Sequence, residues 1–345
     1  LEDLQDAFDF CFKVHYQPGE ERSNDPQYTR QLQMLQAKLQ NLDQQRRRVL
    51  DQMQQLLGRS ETLRELLQQE LGAWQERQQR SCLGAPTNTN LRLLETWFTE
   101  LGQGLFQLQK LLQALSDLRL KVTYERDPLV ADTPLLQQRL REQLTHLLKS
   151  AFVVEQQPST PNPCKRPLVL RTGSKFSARA RLLVRLHDRS HRMEAKIHID
   201  RSGKGSKGAG EVGVGLGAVG THGGPGPHGD HGATSSQSPL VVTEELHLIT
   251  FTLAYAYCGL ELELETSTLP VVIISNNNQF SSAWASILWF NMLSSDPKAS
   301  GTPQPSPPLA PWPRLAEVLS WQFESVVERG LSRDHLLMLA EKLFG

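Results

Sequence analysis

The residues able to do chemistry fall into a few groups, and spacing decides what each can do. His222, His228 and His231, with Asp230, are competent ligands for a divalent ion, because imidazole and carboxylate both bind such metals. They stand in a run of glycine, however, and a metal site needs ligands fixed by a second layer of hydrogen bonds. A glycine chain supplies that only against a large ordering entropy, so no metal is expected there. Gly213, Gly215 and Gly217 to Gly220 imitate a nucleotide loop. No buried strand leads into them and prolines rather than a helix follow, so the phosphate-binding geometry is not built. Glu244-Glu245 and Glu261, Glu263 and Glu265 offer paired acids, but alternation with apolar neighbours makes them solvated strand faces, not an acid–base pair.

No Ser-His-Asp or Cys-His constellation is supported by a nucleophile elbow or a helix-terminus setting. Cys11, Cys82, Cys164 and Cys258 are scattered, without the close pairing of a zinc site or a redox motif, and fit a reduced, cytosolic or nuclear protein. The expectation is a chain that is not an enzyme, with no catalytic residue, no cofactor and no metal. The segment Arg171 to Arg192 is the group that remains. It carries Arg171, Lys175, Arg179, Arg181, Arg185, Arg189 and Arg192 against one acid, Asp188. Alternation puts Arg179, Arg181 and Arg185 on one strand face, where guanidinium groups can meet phosphates and release counterions. A solvated outer face, balanced by the acids of the later strands, is the other reading of the same pattern.

These residues must be positioned by more than one core, since 345 residues exceed what a single core organises and point to two or three domains. The 37 basic and 37 acidic residues cancel, so overall charge argues for neither a nucleic-acid nor a membrane-surface partner. No apolar run approaches the roughly eighteen residues of a membrane span. Leu1 to Asp6 lack a basic-then-apolar signal pattern, and the absence of an initial Met reads as a piece excised from a longer chain.

Asp25-Pro26 gives an N-cap and a first-turn proline, from which a very long helix runs to Cys82. Leu32, Leu35, Leu39, Leu42, Val49, Met53, Leu56, Leu63, Leu67 and Trp74 alternate in steps of three and four over about seven heptads, with Arg46, Ser60 and Glu70 breaking the seam. Met34, Leu50, Leu57 and Leu66 widen the stripe. A helix of roughly 80 Å must lie along partners, and Asn90 to Tyr124, Thr133 to Phe152 and Leu1 to Tyr16 provide them. The first expectation is therefore a long antiparallel four-helix coiled-coil bundle over residues 1–155.

Prolines 158, 161, 163 and 167 make 156–167 a linker. From Leu168 the period falls to two, giving antiparallel strands through residue 281. The interruption is a glycine-rich insert over 202–239, holding more than half of the chain's 24 glycines and expected to be disordered. Helical patterns return over 282–345.

In this order, Leu94-Glu95-Thr96-Trp97-Phe98, Thr243-Glu244-Glu245-Leu246-His247, Leu269 to Asn276, Trp284 to Leu293, and the series from Ser320-Trp321-Gln322-Phe323 to Lys342-Leu343 together resemble the signal transducers and activators of transcription. Ala151 to Glu155 and Arg171 to Phe176 resemble the family's interferon-specific branch. The resemblance implies a coiled coil, an immunoglobulin-like β-barrel that meets DNA, and a helical linker domain leading to an SH2 domain. The SH2 domain, the phosphorylated tyrosine, the amino-terminal domain and the transactivation tail are not in this sequence. It also implies the function: type I interferon signalling, with a protein that moves from cytoplasm to nucleus on activation.

Partners follow on the same footing. The coiled coil would dock the association domain of an interferon-regulatory factor through Gln31, Met34, Leu35, Lys38 and Leu39, two of which, Leu35 and Leu39, also fit the internal seam. The first family member would join through the SH2 domain, viral antagonists are possible ligands, and no membrane is involved. Arg179 and Asn276 would contact DNA, an amide being able to serve phosphate or base edge. Between Asp200 and Thr243 the family carries roughly forty further residues of strand and loop, so the barrel is expected to be incomplete. Two other readings stand beside this one: an autonomous protein binding the DNA backbone through the basic strand, and a structural coiled-coil spacer.

Overall fold

The computed structural model describes residues 1–15, 26–160, 166–186, 195–199, 243–293 and 309–344. The glycine-rich insert, the histidine group, Asp188, Arg189 and Arg192 lie outside them. No helix among the described residues is long and apolar enough to cross a membrane. The chain divides into two compact units, Leu1–Leu67 with Thr99–Leu147 and Gln68–Phe98 with Leu148–Gly345.

The first unit is helical, built from α1 (Glu2–His15) and parts of α2 (Pro26–Cys82), α3 (Arg92–Lys121) and α4 (Pro128–Ala151). Pro26 opens α2 where a missing N–H costs nothing, and 57 residues at about 1.5 Å each give a rod of about 85 Å. The buried stripe of α2 in this unit is Leu42, Arg46, Leu50, Met53, Leu57, Ser60 and Leu67. Leu56 and Leu63, assigned to the seam from the sequence, are exposed, and Leu50 and Leu57 take the interior. Where apolar residues adjoin, as at Val49-Leu50 and Leu56-Leu57, three-four alternation fits either phase and packing against the other helices decides.

Arg46 and Ser60 do not interrupt the stripe; both find polar partners inside it, although Arg46 Nε is left without one. Ser60 Oγ donates to Gln143 Oε1 at 2.6 Å, and Gln143 Nε2 donates to Glu61 Oε1 at 2.8 Å. Arg46 Nη1 donates to Asp127 Oδ2 at 2.6 Å, while Nη2 donates to Gln5 Oε1 at 2.8 Å and to the Val122 carbonyl at 3.2 Å. The guanidinium lies 5.1 Å from the Tyr124 ring centre. Asp127 Oδ1 also accepts from the Leu129 N–H at 3.0 Å. This cap and Pro128 start α4 at Pro128, ahead of the Thr133 start expected from periodicity.

In the second unit the α2–α3 connection is pinned by Trp74 Nε1 donating to the Thr89 carbonyl and Thr87 Oγ1 to the Arg77 carbonyl, both at 2.9 Å. Asn90 Oδ1 accepts from the Arg92 N–H at 2.8 Å and caps α3. The strands are β1 (Phe152–Ser159), β2 (Val169–Arg171), β3 (Ser177–Leu182), β4 (Ala195–Ile199), β5 (Thr243–His247), β6 (Ile249–Tyr257), β7 (Leu260–Ser267) and β8 (Val271–Ile274). They form three sheets, ordered β1-β3, β2-β8-β5 and β4-β6-β7, which do not close into a barrel among the described residues. β2 runs parallel to β8, and the other pairs are antiparallel.

Two boundaries differ from the sequence pattern. β1 follows α4 directly, so the segment read as a linker opens inside a strand whose Phe152, Val153 and Val154 are buried. The stretch Leu240 to Tyr257, a single strand candidate by composition, holds β5 and β6, which part at Leu248 into different sheets. β6 and β7 are joined through Cys258 and Gly259 with φ of 48° and 74°, the two left-handed residues of a tight hairpin turn.

A chain of buried amides ties the end of α2 to this module. Gln78 Nε2 donates to the Val154 and Glu155 carbonyls at 2.9 Å, Gln157 Nε2 donates to Gln78 Oε1 at 2.9 Å, and Gln157 Oε1 accepts from the Leu269 N–H at 2.8 Å, just ahead of β8. After β8 come a 3-10 turn (Asn277–Gln279), α5 (Phe280–Leu293), α6 (Trp312–Val327) and α7 (Arg333–Phe344). Leu83, Leu288, Met292 and Val318 form a core there, flanked by Trp284, Trp289 and Trp321.

Candidate functional site

Two surfaces carry the residues singled out from the sequence, one in each unit. The first is the amino-terminal part of α2. Met34 is 56 % exposed and offers a flexible, polarisable thioether of the kind that adapts to a partner. Leu35 and Leu39 are half-buried instead, packed with Leu1, Leu4 and Tyr124 against the cluster of Phe8, Leu42 and Val122. Lys38 Nζ reaches α1, donating to Cys11 Sγ at 2.7 Å and to the Ala7 carbonyl at 3.5 Å. Gln31 is half-buried. Within the five residues, the structure therefore separates an exposed member, Met34, from three that hold α1 in place.

The platform beneath this face is polar and charged. Tyr124 Oη donates to Asp43 Oδ1 at 3.0 Å, and Arg47 Nε donates to Asp43 Oδ2 at 2.8 Å. The Arg47 guanidinium holds the Asp43 carboxyl below its usual range of 3.8, against the opposing effect of burial. Burial first, then the bond to Asp43, pushes the Tyr124 hydroxyl well above the ordinary phenol range. Arg46, which the heptad spacing puts at a seam position, and Asp127, which no sequence pattern marks, sit fully buried next to it. Arg46 stands in a run of three arginines, and only its seam spacing sets it apart from Arg47 and Arg48.

The second group lies on β3 and, in a different sheet, at the end of β8. Arg179 pairs with Gln156 in the ladder and its side chain is 65 % exposed, with the nearest carboxylate oxygen, Glu155 Oε2, at 3.9 Å. Arg181 is held on two sides: Nη1 lies 2.9 Å from Glu95 Oε2 and Nη2 3.1 Å from Glu155 Oε1. Arg185 Nε pairs with the other Glu95 oxygen. The acids that balance the basic face thus come from α3 and β1. Lys175 is exposed and Arg171 half-buried.

Asn276 caps the 3-10 turn that follows β8, its Oδ1 accepting from the Asn278 N–H at 3.0 Å. Gln279 Oε1 in return accepts from the Asn276 N–H at 3.4 Å and the Ser275 N–H at 2.9 Å. This reciprocal capping box holds an exposed residue still and leaves the Asn276 side-chain N–H groups without a partner among the described residues. Between β8 and α5 a cavity of about 20 Å³, lined by Ile274, Gln279, Ser282 and Ser286, has room for little more than one water. No group of His, Cys, Asp and Glu among the described residues is placed to hold a metal. What these residues offer is hydrogen-bond donors and positive charge, the groups that meet phosphates and base edges.

Comparison with known proteins gives three matches to one family. Residues 1–144 match the STAT transcription factor coiled-coil domain, residues 156–211 and 228–274 the STAT DNA-binding domain, and residues 299–345 the signal transducer and activator of transcription linker domain. Signal transducer and activator of transcription 4 from Homo sapiens is 36 % identical over 369 residues, covering 99 % of this chain and 48 % of the relative. The same protein from Mus musculus is 36 % identical over 361 residues, with the same coverage. A crystal structure of STAT2 in complex with IRF9 is similar at 34 % identity over 43 % of this chain and 84 % of that one, with a TM-score of 0.39. The chain spans about half the length of the curated relatives it matches. With three different domain models of one family falling on it in order, the chain belongs to the signal transducers and activators of transcription, a family of transcription factors rather than enzymes.

Proposed function

We propose that this chain serves type I interferon signalling by assembling a transcription complex, gripping a partner protein with its coiled coil and touching DNA with its β-module. Residues 1–155 are the gripping bundle in this reading, 168–281 the DNA module and 282–345 the linker region. The partner is the association domain of an interferon-regulatory factor, and its docking face is Gln31, Met34, Leu35, Lys38 and Leu39. The observation that carries the proposal is the exposure of Met34 beside a strip that α1 already holds rigid. An apolar side chain left in solvent on a fixed platform is how an interface anchor is presented before its partner arrives. Arg179 and Asn276 supply the DNA contacts. Joining with the first family member through an SH2 domain, recognition by viral antagonists, and passage from cytoplasm to nucleus belong to the same proposal.

The test is a titration of the whole chain against an interferon-regulatory-factor association domain. Met34→Glu is expected to weaken binding by at least about tenfold, the loss of one anchor, with an unchanged melting temperature. Equal affinity in wild type and variant would refute the docking face. Leu39→Glu is a poorer probe, because Leu39 also packs on α1 and its loss lowers stability as well.

A further inference from the structure

We propose that Glu95 and Glu155 are built-in anions that occupy Arg181 and Arg185 and so restrict the phosphate contacts of β3 to Arg179. This rests on the reading of β3 as a DNA-facing strand and adds how its affinity is held down. Alternation brings three arginines to one face, and counting residues alone would let all three meet phosphates. The geometry separates them. Arg181 is clamped between two carboxylates at 2.9 and 3.1 Å, and Glu95 turns its second oxygen to Arg185. A carboxylate presents to a guanidinium the same pair of charged acceptors as a phosphate does.

The clamp is also partly withdrawn from water. Side-chain exposure is 27 % for Arg181 and 15 % for Glu95, so salt screens this pair less than it screens an open surface pair. A DNA phosphate approaching Arg181 has to displace an anion already in place and face the second one nearby. Arg179 meets a weaker competitor: its closest carboxylate oxygen, on the same Glu155, is 3.9 Å away and its side chain is 65 % exposed. Arg181 and Glu95 are 86 residues apart in sequence, on a strand and on the second long helix. That helix, rather than the strand alone, sets how much of the basic face is offered.

Counterion release measures the number of phosphates a protein neutralises, and this makes the proposal testable. The whole chain, its Glu95→Gln/Glu155→Gln variant and a Glu263→Gln/Glu265→Gln control are titrated with a random-sequence DNA duplex over a range of salt. The control makes the same charge change on β7. Removing the two carboxylates is expected to steepen the slope of log affinity against log salt by about 1 to 2, at roughly 0.9 per phosphate, and to raise affinity at about 0.1 M salt at least tenfold. The control is expected to leave the slope alone. Glu95→Gln by itself takes the Glu95 carboxylate from Arg185 and from one side of Arg181, which keeps Glu155, and gives a smaller change in the same direction; it stands in for the double variant should that one fail a thermal-melt check. A slope equal to that of wild type, or one reproduced by the control, overturns the proposal. Arg179→Ala reads the underlying DNA assignment separately: it flattens the wild-type slope by about 1 if that assignment holds, whatever the glutamates do.

Discussion

At the scale of single residues, the buried pair Arg46 and Asp127 makes the largest claim on stability. Both side chains are fully enclosed, so removing one leaves the other charged in a medium that cannot solvate it. Arg46→Leu is expected to cost about 3–5 kcal/mol, read from the denaturant midpoint. Adding Asp127→Asn, which neutralises the partner and keeps an oxygen for the Leu129 N–H, recovers much of it. A milder effect follows from Asp43 and Glu61, whose carboxyls are held below their ordinary 3.8 and 4.5, mainly by bonds from Arg47 and Arg139. A depressed folded-state value stabilises above the unfolded value and fades as pH falls through the folded one. Melting temperature should therefore drop below a pH of about 4.5, and Glu61→Gln should make that drop shallower. The run of basic residues was readable in the sequence; which of them are neutralised was not, since Glu95 is distant in the chain and sits in a helix that reads as interior.

Among the elements, the turn after α2 is the tightest fit. Gly84 has a φ of 96°, and a Cβ there would come within 3.0 Å of the Trp321 carbonyl oxygen, a backbone atom that cannot swing away. Gly84→Ala combines left-handed strain with that clash and is expected to cost about 1–3 kcal/mol, seen as a lowered melting temperature. The long helix, its capped partners and the period-two strands could be read from spacing, because three-four and alternating patterns are short-range properties of the chain. The phase of the α2 stripe could not, since Leu56-Leu57 satisfies either choice. The corner at Leu248 left a trace, since the apolar phase shifts there from Leu246 and Leu248 to Ile249, Phe251 and Leu253, but the hydrogen-bond partners that assign β5 and β6 to separate sheets lie elsewhere in sequence.

For the molecule as a whole, 37 positive and 37 negative charges cancel, so no long-range field draws it to nucleic acid and any DNA affinity has to be local. Of the basic residues described around β3, Arg171 and Lys175 have no carboxylate partner among the described residues and Arg179 has only a loose one at 3.9 Å, whereas Arg181 and Arg185 are closely paired. The wild-type salt slope is accordingly expected to be no steeper than about −3, against about −4.5 if all five met phosphates. A steeper measured slope would mean that the carboxylates give way. The module's three sheets remain separate among the described residues, and the sequence could not show which strands would pair.

The unbroken course of α2, from Pro26 to Cys82, bears on how such a gene can change. One residue inserted into an α-helix turns everything beyond it by about 100°, which here would carry Leu67, Trp74 and Gln78 off the face they share with Leu42. Insertions of about seven restore the phase almost fully, while those in the connection between α2 and α3 leave it untouched. Length variation among descendants of this sequence should therefore come in heptads within the helix and in any number outside it, a pattern that a library of random insertions scored for soluble expression would reveal.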